Sequence, residues 1–418
     1  MGPGRKNTDA FGTALITPIK RNGAAAQVSS EPPLPHDGSG ALPEELQRPN
    51  VIRHGTTRLR LAQNSPPDAA QNVGSSVRFR RARSLLVPFP PCLAIVTQIV
   101  HITDVDQRPM TDAGIAVDLR GGVLSIGNFD GVHLGHQHLL KQTRRLADQL
   151  SGPAIACLFH PHPIKILRPQ SVPVRLTTIE RRAELMQPLG IDYLLVCQTT
   201  AELLSLTAET FFQRLILQNL KVAGLVEGAN FCFGKARAGD TDLLRQLSLQ
   251  NQLECQIVPL QTSGDQTISS SKIRNWIEAG DIESPIQLAD YRHVISGRVV
   301  IGDQRGGSIG FPTANLGDID VLIPPAGVYA GSASIGEKRY AAAIHLGPSP
   351  TFQSGQQGKV EVHVIGYSGD LYGSQLQVEL RSKLRDVISF ADQQALIDQL
   401  NQDVSAAKQL WLSEQKPQ

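Results

Sequence analysis

The sequence predicts an α/β plus β architecture: an N-terminal α/β domain on a parallel sheet, then a small antiparallel β-barrel domain with a terminal helix. Two observations carry this. Between Val123 and Arg274, short apolar runs alternate with stretches of helical periodicity. Beyond about residue 290, strand patterns follow one another with Gly, Pro and Asp between them and no helical pattern.

Taken in order, the first half offers strands over 123–126, 154–159, 193–197, 222–226 and 255–259, with helical patterns near 136–150, 178–189, 207–219 and 240–252. Helices then cover both faces of a parallel sheet, and ligands bind beyond the carboxyl ends of its strands. The second half offers strands over 294–301, 328–335, 340–345, 360–367 and 376–380. A helix at about 391–412 closes it, with Leu396, Leu400, Val404, Ala407 and Trp411 on one stripe. The domain boundaries expected are an extension over 1–93, the α/β domain over 94–280, a linker over 281–291, the barrel with its helix over 292–412, and a tail over 413–418.

A chain of 418 residues suits two or three domains with sizeable cores. The five cysteines, Cys92, Cys157, Cys197, Cys232 and Cys255, lack Cys-x-x-Cys spacing and read as reduced thiols of a cytoplasmic protein. No apolar stretch approaches the ~20 residues that span a bilayer, so no membrane partner is expected. Residues 1–93 carry 12 Lys or Arg against 6 Asp or Glu, and the rest of the chain is net −4. The Arg-rich stretch Arg78 to Arg83 has no aromatic stacking platform beside it, so nucleic acid is not expected either. Residues 1–93, rich in Gly, Pro, Ser and Ala, read as a disordered extension, an organelle transit peptide, or sequence upstream of a true start near Val96. A monomer or weak homo-oligomer is expected.

The most informative segment is Gly127-Asn128-Phe129-Asp130-Gly131-Val132-His133-Leu134-Gly135-His136, between a predicted strand and a predicted helix. Glycines there let a phosphate approach main-chain N–H groups, and imidazoles three apart share one side of a first helical turn. The decapeptide resembles the His-x-Gly-His signature of nucleotidyltransferases, which makes the first domain Rossmann-like. Its Gly-Asn-Phe-Asp-Gly-Val-His form is similar to the adenylyltransferase half of prokaryotic-type bifunctional riboflavin kinase/FMN adenylyltransferases (FAD synthetases). Phe159-His160-Pro161-His162-Pro163, Gly228 to Lys235, and Ile268-Ser269-Ser270-Ser271-Lys272-Ile273-Arg274 resemble further elements of that half.

The resemblance implies ATP contacts at Gly127, Asn128, Phe129, Asp130, His133, His136, Ser269, Ser270, Ser271 and Arg274, with His133, His136 and Arg274 catalytic. It implies FMN contacts at Pro161, His162, Pro163, Asn230 and Phe231. Asn230 and Cys232 stand where Asp and Arg are common in the family, which removes charge from that loop.

In the second half, Gly302 to Leu316 contains Gly-Phe-Pro-Thr-Ala-Asn and resembles the riboflavin kinase signature. Pro324 to Tyr329, Gly347 to Phe352, and Val360-Glu361-Val362-His363 resemble its companions. The resemblance implies nucleotide contacts at Gly302, Gly306, Gly310, Pro312, Thr313 and Asn315, with Thr313 and Asn315 also holding Mg²⁺. It implies a flavin contact at Arg385 and makes Glu361 the base for the ribityl 5′-hydroxyl; read alone, a strand glutamate faces solvent. Gly307 stands where a basic residue is frequent. The expected function is phosphorylation of riboflavin to FMN, then adenylylation of FMN to FAD, with ATP as co-substrate at both sites and ADP and pyrophosphate released. The alternative is an adenylyltransferase with an inactive kinase-like domain.

Overall fold

A computed structural model describes residues 96–259, 262–263, 266–302, 305–347 and 358–415. The extension over 1–93, Asp303-Gln304, and Pro348 to Phe352 of the Gly347 motif lie outside the described residues.

Seven strands form the first sheet: β1 (Gln98–Ile102), β2 (Met110–Thr111), β3 (Val123–Ile126), β4 (Ala154–His160), β5 (Tyr193–Gln198), β6 (Gly224–Gly228) and β7 (Glu254–Val258). Their order is β2-β1-β5-β4-β3-β6-β7. All five expected strands are present and parallel. The sheet is nonetheless mixed, because β1 extends it parallel to β5 and β2 folds back antiparallel. Those two strands escaped the sequence pattern because β1 lies outside the strand–helix alternation and β2 is two residues long.

Chain order reverses direction across β3, which places a topological switch point at the carboxyl ends of β3 and β6. The strands pair through Val123↔Gly224 and Leu124↔Leu225. Beyond that, Glu227 Oε1 accepts the Ile126 N–H at 2.7 Å. Glu227 is 1% exposed, and burial pushes its carboxyl well above the usual range.

The helix Leu134–Leu150 buries Leu140, Thr143, Leu146 and Ala147 against the sheet, as its period predicts. The pattern of 207–219 resolves into a helical turn, Ala208–Phe211, running into a π-helical stretch, Phe212–Leu220. No helix among the described residues is long and apolar enough to cross a membrane.

After a two-stranded hairpin, β8 (Thr262–Ser263) with β9 (Gln266–Thr267), come the helices Ser270–Glu278 and Glu283–Ala289. The stretch over 281–291, expected as a linker, is a packed helix leading into the fully buried Tyr291. Six strands then close a barrel in the order β10-β11-β14-β13-β12-β15. They are β10 (Val294–Val300), β11 (Ala314–Gly317), β12 (Gly327–Ile335), β13 (Lys338–Leu346), β14 (Val360–Val364) and β15 (Gln375–Arg385). A single helical turn, Arg305–Ser308, lies between β10 and β11 where no helix was expected. The terminal helix spans Gln393–Glu414.

The two halves share a core. One apolar cluster joins Ile268, Ile273 and Ile277 to the barrel interior through Tyr291. Polar ties cross the same seam. The Tyr291 hydroxyl donates to the Leu176 carbonyl at 3.0 Å and lies 2.8 Å from His293 Nδ1, while His293 Nε2 donates to the Leu322 carbonyl at 2.7 Å. Leu322 N–H donates to the Arg175 carbonyl at 2.7 Å, and Arg175 pairs with Asp320.

Barrel closure needs tight curvature where β12 meets β15, and the register shifts between Ala330 and Gly331. A Cβ on Gly331 would lie 2.1 Å from the Glu379 carbonyl oxygen. Gly331→Ala should therefore cost about 1–3 kcal/mol through overpacking. The check is a lower urea midpoint with an unchanged slope.

Candidate active sites

The first site grows from the turn after β3. Phe129, Gly131 and Val132 all take positive φ, bending the chain sharply into the helix Leu134–Leu150. Two glycines leave room for rings: a Cβ on Gly127 would come within 3.2 Å of Phe129, and one on Gly135 within 3.3 Å of His133. That helix has His133 at its N-cap without a side-chain capping bond, and carries no acid in its first turn. Its free N–H groups and positive dipole end are thus available to an anion.

His133 and His136 stack with ring centroids 3.8 Å apart, and Phe129 meets His136 edge-on at 5.4 Å. Burial presses His133 down to about 4 against the pull of Asp130. Burial presses His136 well below its ordinary value, with His133 and Arg182 adding to the effect. Both rings are therefore neutral near pH 7, and each has a buried Nδ1 without a partner.

Beneath them lies Asp130, 3% exposed. Its carboxylate accepts from the Leu176 and Thr177 amides, the Thr177 hydroxyl at 2.9 Å, Arg182 at 2.8 Å and Arg274 at 2.6 Å. Burial raises its pKa, but Arg182, the Leu176 amide, Arg274 and Thr177 outweigh it and hold the group below the usual range. Asp130, expected to touch ATP, is thus turned onto the protein. Arg182 also donates to the carbonyl of Asn128 at 2.9 Å, fixing the turn from behind.

The helix Ser270–Glu278 starts against the same turn. Ser269 caps it, Ser270 Oγ donates to the Asp130 carbonyl at 2.8 Å, and Ser271 is exposed in the first turn. Arg274 is oriented by Asp130 and by the Val174 carbonyl, 2.7 Å from Nε. Pro161, His162 and Pro163 follow β4. His162 Nδ1 accepts the Ile164 N–H at 3.1 Å, and burial, then Arg274, lower its pKa. After β6, Asn230 is exposed while Phe231 stacks on Phe233 at 5.6 Å, continuing a row of rings through Phe211 to Phe159.

The second site lies on the barrel wall. Cross-strand register places Asn315 opposite Glu361, Glu361 opposite His345, His345 opposite Val328, and Val328 opposite Arg385. Directly opposed residues point to the same side of a sheet, so these five form one row. A pocket of about 370 Å³ opens over it, lined by Thr313, His345, Glu361, Arg385, Phe390 and Leu400 among others. That volume suits a small-molecule ligand.

Glu361 Oε2 faces His345 Nδ1 at 2.9 Å, and Oε1 pairs with Lys359 at 2.9 Å. The His345 hydrogen bond and Lys359 overcome burial and hold Glu361 down to about 2. His363 Nδ1 donates to the Pro312 carbonyl at 2.8 Å, anchoring the loop that carries Gly306, Gly310 and Pro312. Gly302 packs against the Asn315 amide, where a Cβ would sit 2.2 Å from its nitrogen. Arg385 is gripped by Asp403, 4% exposed on the terminal helix, at 2.7 Å from Nη2 and 3.0 Å from Nε. It thereby ties that helix across the pocket.

Sequence reasoning missed Arg182, Glu227, His345 and Asp403. In a helix where Arg181 meets Glu184 at the surface, nothing local marks Arg182 as inward-facing.

The family described as FAD synthetase matches residues 116–272, and that described as riboflavin kinase matches residues 289–411. The chain is 34% identical over 292 residues to the bifunctional riboflavin kinase/FMN adenylyltransferase of Escherichia coli (strain K12), covering 70% of this chain and 93% of that protein. It is 32% identical to the protein so described from Bacillus subtilis (strain 168), covering 68% and 91%. A solved structure described as a macrolide-efflux protein from Streptococcus pneumoniae is similar with TM-score 0.65 and 26% identity, over 74% of this chain and 98% of that one.

Asp130→Asn would leave Arg182 and Arg274 facing a neutral group, and should cost about 3–5 kcal/mol of stability at neutral pH. Asp130 has a folded pKa below its unfolded value, so its contribution is present above about pH 4 and is lost as pH falls through the folded value. Urea unfolding of both proteins from pH 7 to pH 3 should show the gap narrowing with acid.

Proposed function

The chain belongs to the bifunctional riboflavin kinase/FMN adenylyltransferase family, and on that premise we propose how its residues divide two ATP-dependent steps. The enzyme phosphorylates riboflavin to FMN and adenylylates FMN to FAD. The observation that carries the division of labour is chemical: one site presents neutral imidazoles at a helix N-terminus, and the other an ionised carboxylate in a ligand-sized pocket.

At the switch-point site, a phosphate oxygen of FMN attacks the α-phosphorus of ATP in line, and pyrophosphate leaves. The attacking group is already anionic, so no protein base or nucleophile is needed. His133 and His136 donate hydrogen bonds to phosphate oxygens without adding permanent charge. Arg274, oriented through Nε and Nη2, offers Nη1 to the triphosphate, and the first-turn amides with Ser269, Ser270 and Ser271 surround it. Gly127, Asn128 and Phe129 border the nucleotide, while Asp130 keeps the turn and Arg274 in place. Pro161, His162, Pro163, Asn230 and Phe231 bound the flavin side.

In the barrel pocket, Glu361 accepts the hydrogen bond of the ribityl 5′-hydroxyl as that oxygen attacks the γ-phosphorus. The transition state of phosphoryl transfer is loose, so orientation matters more than base strength. A carboxylate with pKa about 2 is suited to that task. Gly302, Gly306, Gly310 and Pro312 shape the phosphate loop, and Arg385 with Phe390 borders the isoalloxazine.

No group of three or more His, Cys, Asp or Glu among the described residues forms a metal cluster. The neutral oxygens of Thr313 and Asn315 fit a Mg²⁺ that arrives with the nucleotide's own phosphate oxygens. When bound, the ion offsets charge on the phosphates. Free thiols at Cys157, Cys197, Cys232 and Cys255 suit the reducing cytoplasm, where we place both reactions.

An HPLC time course with riboflavin, ATP and Mg²⁺ should show FMN first and FAD after it; absence of FMN would remove the kinase step. Glu361→Gln should abolish FMN formation and leave FAD synthesis from supplied FMN intact. His136→Ala should do the reverse, lowering FAD formation about 10²-fold or more. Loss of both activities in either variant would contradict the division of labour.

A further inference from the structure

The kinase carboxylate has a neighbour that the signature does not contain. His345 stands on β13 directly opposite Glu361 on β14, in the row that also holds Asn315 and Arg385. Its side chain is partly exposed and lines the 370 Å³ pocket, so it is not committed to the apolar core. Among the hydrogen bonds described for it, Nδ1 meets Glu361 Oε2 at 2.9 Å.

We propose that His345 is the positioning residue of the kinase step: its Nδ1–H pins Glu361 Oε2 and so aims the carboxylate at the attacking 5′-hydroxyl. This rests on Glu361 being the carboxylate of riboflavin phosphorylation. Lys359, just before β14, holds Oε1 at 2.9 Å, so one donor sits on each oxygen and the carboxylate plane is fixed by two separate segments. Without His345, Lys359 is the contact that remains among the described residues, and the carboxylate can swing about it. A carboxylate has about four lone-pair directions, so two donors still leave room for the hydroxyl.

In the step itself, the bond from the ribityl oxygen to the γ-phosphorus forms as the γ-phosphorus bond to the bridging oxygen breaks, and ADP departs with that electron pair. The hydroxyl proton passes to Glu361 and then to solvent. His345 takes no part in the bond changes. What it supplies is geometry, and misplacement by about 1 Å is enough to cost on the order of 10²-fold in rate.

The test uses the full chain and reads two activities in the same preparations: FMN formation from riboflavin with ATP and Mg²⁺, and FAD formation from supplied FMN. His345→Leu removes the donor and should lower kcat for FMN formation roughly 10- to 100-fold, with KM for ATP within about twofold. His345→Asn places an amide N–H near where Nδ1–H sits and should recover kcat to within about threefold of the parent. FAD formation should be unchanged in both. A leucine variant with parental kcat would overturn the assignment, as would an asparagine variant no faster than leucine. Should leucine impair both activities by unfolding the barrel, His345→Ala against His345→Asn decides, and equal kcat in that pair overturns the proposal. Glu361→Gln assayed alongside separates the premise: a fully active glutamine variant sinks the role of Glu361 itself.

Discussion

A buried carboxylate cannot remain ionised unless charges and donors surround it, and Asp130 draws four segments together to meet that demand. The turn after β3 supplies the carboxylate, the Val174–Thr177 stretch supplies amides, the helix Ile179–Met186 supplies Arg182, and the helix Ser270–Glu278 supplies Arg274. The same contacts aim Arg274 and hold the carbonyl of Asn128. A structural requirement and the shape of the proposed adenylyltransferase site are therefore one arrangement. The Leu176 carbonyl, on the far side of that segment, takes the Tyr291 hydroxyl, so the hub reaches the barrel seam within a few bonds.

The two sites solve related charge problems in opposite ways. In FAD formation both reactants bring negative charge, and a protein carboxylate facing them would add repulsion. Asp130 is accordingly buried and neutralised by arginines, while the turn and the start of the helix after it carry uncharged imidazoles. In riboflavin phosphorylation the attacking group is a neutral alcohol, so an oriented carboxylate is an asset. Glu361 is kept ionised by His345 and Lys359 instead of being buried away.

Much of this organisation is legible in the sequence. The strand Val123–Ile126, the turn to His136 and the helix after it are local features, written in apolar period and glycine placement. The helix Ser270–Glu278 has equally local causes, with Ser269 capping its start and Gly280 in positive φ just past its end. What failed also had local reasons. β11 hides inside a glycine-rich motif, with a strand part only four residues long, and β15 runs past the expected end at Leu380 to Arg385, where Arg381, Lys383 and Arg385 interrupt the apolar pattern.

The sequence by itself determined the two fold classes, the order of the motifs and the chemistry of their side chains, because period, turn residues and spacing act over a few neighbours. Only the tertiary structure decided which charged residues turn inward and whom they meet. Arg182 lies 52 residues from Asp130, Arg274 lies 144 away, and Arg385 meets Asp403 across a strand and a helix. Such pairings depend on register and on the angle at which elements pack, which no local pattern encodes. The same holds for His345 beside Glu361: sixteen residues apart in the chain, they face each other because two antiparallel strands meet in one register and not the next.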